Sequence, residues 1–337
     1  MQIQPNIQLK PYNTFGIEAV AKKFVFIKSI DDLKIILAEN QNQPKLILGG
    51  GSNMLLTKNI DALVIHIDLK GKTVASQSEN HVEVTCMAGE NWHEFVLWTI
   101  SQNYGGLENM SLIPGNVGTT PIQNIGAYGT EIKDSMVSCQ AINIKTLETT
   151  TFSNLDCKFG YRQSVFKNEV KDQYIILSVT FKLTTKTHKI TYSYGDIQSE
   201  FAKNNISNPT IKDVSNAVIA IRKGKLPDPA ELGNSGSFFK NPIISKKLFD
   251  TVQAKFPGIK NYPISETQVK VPAGWLIEQC GFKGRRFGDA GVHKNQALVL
   301  VNYGNATGQE ILDLSKKIQQ TVFDKFGIHI EAEVNIL

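Results

Sequence analysis

The segment "KLILGGGSNMLLT", residues 45–57, places three consecutive glycines between two apolar runs. Because three glycines remove every Cβ and permit positive φ, the backbone here can pass close to a ligand, and free amides in such a turn suit a phosphate. The dinucleotide-binding pattern G-x-G-x-x-G is not met, since Met54 or Leu55 stands where its third glycine belongs. A phosphate loop of another kind and a tight turn between buried strands both remain open.

The whole chain has the composition of a globular protein of two or three domains. Its 337 residues are 41% hydrophobic and 20% charged. No segment approaches the roughly 20 apolar residues of a membrane span, and the first ten residues lack the apolar core of a secretion signal. We therefore expect a cytoplasmic protein with no membrane partner.

The cysteines and the basic residues limit the kinds of ligand and partner that the sequence predicts. The four cysteines contain no C-x-x-C pair, which favours reduced thiols over a disulfide framework or a metal site. The net charge of +5 comes from thinly spread lysines and arginines, which suits an anionic small molecule. A nucleic-acid binder usually concentrates its basic residues, so no nucleic-acid partner is predicted, and no obligate protein partner is evident.

Hydrophobic periodicity predicts a mixed helix and strand organisation. Ser29 is placed to cap a short helix before the strand "KLIL", and "ALVIHI" is a second strand. The strand "HVEVTCMA" precedes a helix, "NWHEFVLWTISQNYGG", that we expect to end at Gly105 and Gly106. The strands "CQAINI", "TTTF" and "YIILSVTFKLT" indicate an antiparallel sheet.

An irregular loop, a domain boundary and a C-terminal helix complete the predicted organisation. Residues 107–132 form a long loop rich in glycine with little periodicity, and such ordered loops are usually functional. A helix ending near Lys223 and a Gly/Pro-rich linker place a domain boundary around 210–230. Thr307 and Glu310 form a capping box for a helix that Gly327 ends, and residues 329–337 are predicted to be a strand.

Three polar stretches are candidates for chemistry. Arg162 in "FGYRQSVFK" carries a guanidinium suited to gripping a carboxylate, although a surface arginine is the plainer interpretation. Ser237 in "GNSGSFFKNP" lacks a G-x-S-x-G context, so it is either a proton donor supported by polar neighbours or a loop cap. Glu331 and Glu333 fall on one face of the predicted strand, which is either a cleft or a solvated surface.

Nine motifs taken in order closely resemble the UDP-N-acetylenolpyruvoylglucosamine reductase family through almost the whole chain. Any one of them is weak, but nine in sequence are highly specific. They are "NTFGI" at 13, "LGGGSN" at 48, "IPGNVGTTPIQNIGAYG" at 113, "GYRQS" at 160, "SYGD" at 193, "KLPDP" at 225, "GNSGSFFKNP" at 233, "AGWLIEQCG" at 273 and "EAEV" at 331.

The resemblance implies an α+β flavoprotein with a vanillyl-alcohol-oxidase/PCMH-type FAD-binding fold. Two FAD-binding subdomains, residues 1–67 and 68–215, would precede a C-terminal α+β substrate-binding domain, residues 225–328, with the strand 329–337 returning to the first subdomain or to the active site. The implied contacts to non-covalent FAD are Gly49, Gly50, Gly51, Ser52, Asn53, Pro114, Gly115, Gly118, Thr119, Thr120, Ile122, Gly126, Tyr128 and Arg222.

The implied reaction is reduction of an enolpyruvyl ether of a nucleotide sugar to a lactyl ether, in peptidoglycan precursor synthesis, with NADPH as co-substrate. Hydride passes from flavin N5 to the vinyl carbon, Arg162 clamps the substrate carboxylate, Glu333 stabilises the resulting charge, and Ser237 donates the proton. Tyr194 resembles the tyrosine that closes over the substrate diphosphate in one subclass of the family. The remaining implied substrate contacts are Lys225, Asn241 and Gln296.

Two positions depart from the family pattern. Ala332 stands where many relatives have proline, and Ser235 stands where alanine is usual. Neither change removes a reacting group. Because fold does not fix chemistry, another FAD-linked oxidoreductase on the same scaffold is the alternative function.

Overall fold

The computed structural model describes residues 2–337, so Met1, the first position of the predicted domain 1–67, lies outside the described residues. The chain forms two compact units, each assembled from several stretches of sequence. Unit 1 contains the residues up to Ile7, Ala21–Gly50 and Ile60–Arg222, and unit 2 contains Gln8–Val20, Gly51–Asn59 and Lys223–Leu337. The predicted boundaries at 67/68 and 215–225 stay a prediction.

Helices and strands alternate irregularly along the chain. The helices are α1 (Ile30–Glu39), α2 (Trp92–Ser101), α3 (Gly195–Lys203), α4 (Ile211–Lys225), α5 (Lys246–Lys255), α6 (Ala273–Gln279) and α7 (Gly308–Phe326). The strands are β1 (Gln4–Gln8), β2 (Val20–Ile27), β3 (Lys45–Leu48), β4 (Met54–Leu55), β5 (Ile60–Ile67), β6 (Lys72–Gln77), β7 (His81–Met87), β8 (Gly126–Ala127), β9 (Thr130–Glu131), β10 (Met136–Asn143), β11 (Thr149–Ser153), β12 (Tyr174–Thr184), β13 (Gly233–Asn234), β14 (Ile243–Ser245), β15 (Tyr262–Pro263), β16 (Gln268–Lys270), β17 (Arg286–Phe287), β18 (Ala290–Val292), β19 (Leu300–Asn302) and β20 (Asn335–Ile336).

One sheet of unit 1 leads the chain into the glycine turn. Its strand order is β1-β2-β5-β3, and β2 and β3 both run parallel to β5. The hydroxyl of Ser29 accepts a hydrogen bond from the amide of Asp32 at 3.1 Å, which begins α1 as predicted. Leu33, Ile36 and Leu37 of α1 are buried in one cluster with β-strand residues. The glycine turn follows β3 directly, so the packing of α1 against this sheet fixes where the turn begins.

The second sheet of unit 1 confirms the predicted antiparallel pairing. Its strand order is β11-β10-β12-β7-β6. The helix α2 begins after Asn91 as its apolar pattern predicts, but it ends at Ser101, so the predicted end at Gly105 and Gly106 is wrong. The reason is Asn103, which adopts a left-handed conformation (φ 57°) that was expected only of glycine.

Unit 2 contains three small sheets and the long helix α7. The sheet orders are β13-β19-β18-β17, β14-β16-β15 and β20-β4. The capping box that begins α7 is present, because Glu310 donates its amide to the Thr307 hydroxyl and accepts the Thr307 amide at 2.7 Å. Gly327 ends the helix with φ 66°. These predictions are confirmed.

The predicted strand 329–337 is wrong in extent. Only β20 is a strand, paired parallel with β4, while Ala332 makes an isolated bridge to Phe239. The segment between Ile330 and Val334 finds a partner for only three residues, and a strand cannot extend without a partner backbone.

The cysteines, the helix lengths and the grouping of His, Cys, Asp and Glu bear on the disulfide-linked, membrane-spanning and metal-binding classes of protein. All four cysteines have free thiols. Within residues 2–337 no helix is long and apolar enough to cross a membrane. Among the same residues no group of three or more His, Cys, Asp or Glu side chains is arranged to hold a metal ion.

Candidate active site

Two glycine-containing loops of unit 1 lie against each other. A side-chain carbon at Gly49 would stand 2.8 Å from Cγ2 of Thr119, and one at Gly50 would stand 3.0 Å from the Cα of Gly115. Because the atom met at Gly50 belongs to backbone, the neighbour cannot swing away. The structure therefore brings the two predicted flavin loops together in unit 1.

The amides of the glycine turn are open. Gly50, Gly51 and Ser52 donate no backbone hydrogen bond to any other residue in the range 2–337. Successive backbone N–H groups without partners form a concavity that suits an anion. The turn therefore fits the pyrophosphate of FAD, and Gly50 fits because it leaves the approach unobstructed.

Internal hydrogen bonds hold the loop that faces this turn. The amide of Gly118 donates to the carbonyl of Ala88 at 2.9 Å, and a side-chain carbon at Gly118 would lie 2.5 Å from the Cβ of Ala88. The hydroxyls of Thr119 and Thr120 donate back to carbonyls three residues earlier, at 2.7 and 2.8 Å. The carbonyl of Ile122 accepts the Ser164 hydroxyl at 2.5 Å. The loop is thus preformed, and the flavin contacts of its side chains stay a prediction.

The end of the glycine turn belongs to unit 2. Gly51 has φ 62°, and a side-chain carbon there would lie 1.9 Å from the carbonyl oxygen of Tyr12, so only glycine fits. Asn53 donates its side-chain amide to the carbonyl of Glu333 at 3.4 Å and accepts the Asn335 amide at 3.2 Å. Asn53, a predicted flavin contact, is therefore a neighbour of the predicted catalytic glutamate.

Arg162 is held in unit 1 by backbone carbonyls. Its guanidinium donates to the carbonyl of Gly126 at 3.0 Å and to that of Asn124 at 3.5 Å, and its own backbone is left-handed (φ 57°). A non-glycine residue in this conformation costs energy and is common at functional sites. Arg162 and Gly126, predicted separately as catalytic and flavin-binding residues, are therefore in contact.

Arg222 is a second guanidinium in the same unit. Its Nε donates to the carbonyl of Leu112 at 3.3 Å. Burial lowers the pKa of Arg222, and the like charge of Arg162 lowers it further, while Tyr128 opposes the shift. No carboxylate of residues 2–337 forms an ion pair with Arg222. A partly buried cation beside another cation favours an anionic ligand, which agrees with a flavin site.

Tyr128 and Tyr194 are in contact, although one was predicted to bind flavin and the other substrate. Their rings pack edge to face with centroids 5.9 Å apart. Burial raises the pKa of Tyr128. The side chain of Asn109 links the two loops, because it donates to the carbonyl of Tyr128 at 3.2 Å and to that of Thr191 at 2.8 Å.

Unit 2 brings Ser237 and Glu333 onto adjacent segments. The amide of Glu333 donates to the carbonyl of Phe238 at 2.7 Å, and the amide of Lys240 donates to the carbonyl of Glu331 at 3.1 Å. Since Ser237 directly precedes Phe238, the predicted proton donor and the predicted carboxylate are held by neighbouring backbones. Glu331 and Glu333 flank the bridge on either side, and the Glu331 carboxylate forms an ion pair with Lys240 at 2.5 Å.

Two of the three remaining substrate candidates, Asn241 and Gln296, lie around the start of α6, and the third, Lys225, ends α4. The side-chain oxygen of Asn241 accepts the amide of Ala273 at 2.9 Å. A side-chain carbon at Gly274 would stand 3.3 Å from Oε1 of Gln296. The side chain of Asn295 donates to the carbonyl of Gly224 at 3.2 Å, which connects this group to the neighbouring Lys225.

Three buried asparagines that position these loops were not predicted. Besides Asn109, the side chain of Asn124 donates to the carbonyl of Gly160 at 3.1 Å, two residues before Arg162. Asn234 accepts the amide of Gly236 at 2.9 Å and donates to the carbonyl of Leu232 at 2.8 Å, which shapes the serine loop. An asparagine inside a glycine-rich loop was the available signal, since buried amides need partners.

Comparison with known proteins tests the resemblance. Residues 228–337 match the model of the UDP-N-acetylenolpyruvoylglucosamine reductase C-terminal domain, and residues 21–146 match that of an FAD binding domain. The UDP-N-acetylenolpyruvoylglucosamine reductase of Flavobacterium johnsoniae is 72% identical over 337 residues, with 100% of each chain covered. The chain belongs to this reductase family. A relative of the same name from Pseudomonas putida is 47% identical and covers 100% of this chain and 99% of its own.

Solved structures support the fold of the reductase family. A UDP-N-acetylenolpyruvylglucosamine reductase from Thermus caldophilus has a TM-score of 0.69 at 23% identity, covering 100% of this chain and 99% of its own. A flavoprotein of the vanillyl-alcohol-oxidase type from Myceliophthora thermophila has a TM-score of 0.50 at 11% identity, covering 95% and 73%. The predicted α+β flavin fold, the FAD cofactor and the oxidoreductase class are confirmed.

Proposed function

We propose that this member of the reductase family reduces UDP-N-acetylglucosamine enolpyruvate to UDP-N-acetylmuramate, with NADPH as the reductant and non-covalent FAD. The full-length identity of 72% to a reductase of that name supports the substrate. The observation that carries the chemistry is the pairing of the segments that contain Ser237 and Glu333. The same identity favours the reductase over another oxidoreductase on this scaffold.

The cationic groups of unit 1 have two roles in this proposal. Bound FAD supplies a hydride acceptor for NADPH and a hydride donor for the vinyl carbon. Arg162 holds the substrate carboxylate by two parallel hydrogen bonds, a geometry that only its planar guanidinium offers. Arg222 supplies a positive charge for an anionic group of the cofactor. Gly50, Gly51 and Ser52 offer their amides to the pyrophosphate.

The residues of unit 2 complete the proposed reaction. After hydride transfer to the vinyl carbon, negative charge is shared between the adjacent carbon and the carboxylate. The Ser237 hydroxyl gives its proton to that carbon, so an O–H bond breaks and a C–H bond forms. Glu333 hydrogen-bonds the substrate carboxyl group and stabilises this charge. Lys225, Asn241 and Gln296 bind the nucleotide sugar, and Tyr194, which belongs to unit 1, is a further substrate contact in this proposal.

Anaerobic stopped-flow measurement of the two half-reactions tests the proposal. In Ser237→Ala, NADPH should bleach the flavin at the normal rate, because no proton is delivered to carbon in that step. Reoxidation by the enolpyruvyl substrate should slow at least about 100-fold. Ser235→Ala is the matched control, two residues away in the same loop, and should reoxidise normally. Ordinary reoxidation in Ser237→Ala would remove Ser237 from the proton-donor role.

A further inference from the structure

The serine and glutamate segments of unit 2 are joined by a single short bridge. Phe239 pairs with Ala332, flanked by the hydrogen bonds from Lys240 to Glu331 and from Glu333 to Phe238. A long sheet resists slippage because many pairs would have to break together, whereas an isolated bridge has few. A slip of one residue would move Glu333 relative to Ser237 and turn its side chain to the other face.

One ion pair spans this bridge. The Lys240 ammonium lies 2.5 Å from the Glu331 carboxylate, with 29% and 68% of the two side chains exposed. The two residues are directly opposite in the antiparallel pairing, next to the bridged pair. An exposed ion pair adds little to global stability, but opposite charges across a strand pair favour one register over others. After a slip of one residue Lys240 would face Ile330 or Ala332, and the pair would be lost.

The flanking segments are tied independently of this pair. Asn234 holds the serine loop through the Gly236 amide, and Asn53 contacts the carbonyl of Glu333 at 3.4 Å. Each segment is therefore fixed on its own side. The Phe238 amide also donates to the carbonyl of Leu298 at 2.8 Å. Direct alignment of one segment to the other comes from the bridge, its two flanking hydrogen bonds and the ion pair beside it.

We propose that Lys240 and Glu331 are positioning residues that set the register between Ser237 and Glu333. This inference rests on the proposed roles of Ser237 and Glu333. Loss of the ion pair lets the bridge sample other registers, so the reacting geometry is populated less often. A small displacement of this kind lowers the rate of a positioned step without removing any group that touches the substrate.

The test compares Lys240→Met, Glu331→Gln and the exchanged pair Lys240→Glu with Glu331→Lys. The control is Lys283→Met, which removes the Lys283–Glu278 pair, a 3.0 Å contact of similar exposure in unit 2. Flavin reduction by NADPH and reoxidation by the enolpyruvyl substrate are followed anaerobically. Each single variant should lower the saturating reoxidation rate about 10-fold, with unchanged NADPH reduction and substrate Kd. The exchanged pair should restore most of the rate, and the control should match the parent.

Three outcomes would overturn the inference. One is a normal reoxidation rate in both single variants; another is an equal loss in both half-reactions with loss of flavin; the third is no recovery in the exchanged pair. Ser237→Ala is measured alongside. If Ser237→Ala reoxidises normally, the proposed function fails. If Ser237→Ala is slow while Lys240→Met is normal, only the positioning pair fails.

Discussion

In unit 1 the turn at Gly49 and Gly50 meets the loop at Gly115 and Thr119 because side chains are missing, while in unit 2 Ser237 and Glu333 are brought together by backbone pairing. An added carbon at Gly50 meets backbone at 3.0 Å, so an extra atom in the first region forces its neighbours to move. The second region depends on the register of its two paired segments. We therefore expect damage to the first to appear in cofactor binding and damage to the second in the chemical step.

Arg162 tests this division most directly, because it lies in unit 1 but is proposed to act in the chemical step. Arg162→Ala should lower reoxidation by the enolpyruvyl substrate by about 10² to 10³-fold, since a donor aimed at developing charge is lost. Stopped-flow should show NADPH reduction unchanged. Arg162→Lys keeps the charge without the planar fork and should be intermediate. Equal damage to both half-reactions would contradict a carboxylate clamp.

Gly50→Ala tests the first region directly. The added methyl group would press on the Cα of Gly115, so the loops must separate and the FAD dissociation constant should rise about 10- to 100-fold. Flavin content after dialysis and titration of the apoprotein measure this effect. Gly224→Ala is the control, because a side-chain carbon at Gly224 in α4 would meet nothing within 4 Å. Unaltered FAD affinity in Gly50→Ala would refute the close approach of the two loops.

Tyr194→Phe tests whether the tyrosine pair of unit 1 serves substrate or flavin. The loss of one hydroxyl hydrogen bond should raise the substrate Kd about 2- to 10-fold, with flavin content unchanged because Tyr128 is kept. Tyr192→Phe, a nearby exposed tyrosine, should have the parent's Kd. A Tyr194→Phe protein that loses flavin and binds substrate normally would assign Tyr194 to the cofactor.

The smallest effect is expected at the start of α4, the helix that ends near Arg222. The Thr210 hydroxyl and amide donate to the Asp213 carboxylate at 2.6 and 2.8 Å and lower the pKa of Asp213. Because the charged form is favoured in the folded state, its contribution is present at neutral pH and is lost as the pH falls through the lowered pKa. Asp213→Asn should lower Tm by about 1–3 °C at pH 7. This difference should shrink as acidification protonates the Asp213 carboxylate, and a difference that persists once Asp213 is fully protonated would contradict the assignment.

The sequence predicts the elements whose signals are local and misjudges those that depend on a distant partner. The caps at Ser29 and Thr307 act on amides three residues away, so α1 and α7 are predicted correctly. The segment 329–337 has the pattern of a strand, but whether it forms one depends on pairing with residues near 54 and 239. Periodicity cannot reveal the length of a partner that lies elsewhere in the chain.

The residues of the candidate site also form two groups, one that the sequence predicts and one that it does not. The glycine turn and the serine loop are visible in the sequence because their residue types and motifs are unusual. The supporting asparagines are not, because Asn109 reaches a carbonyl 82 residues away and Asn124 reaches one 36 residues away. Their amides satisfy buried carbonyls that only the folded chain brings near. The Lys240–Glu331 pair is hidden for the same reason.

The tie between β4 and the end of the chain affects the order of folding. Thr57 donates its hydroxyl to the carbonyl of Leu337 at 2.6 Å across 280 residues of sequence, and the Leu337 amide donates to the carbonyl of Leu55 at 2.9 Å. Closing so long a loop is entropically slow compared with forming local hairpins. The five-stranded sheet β11-β10-β12-β7-β6 can therefore form before Glu333 reaches its neighbours in unit 2. We expect refolding protein to regain catalysis only after most of its β-strand signal has returned.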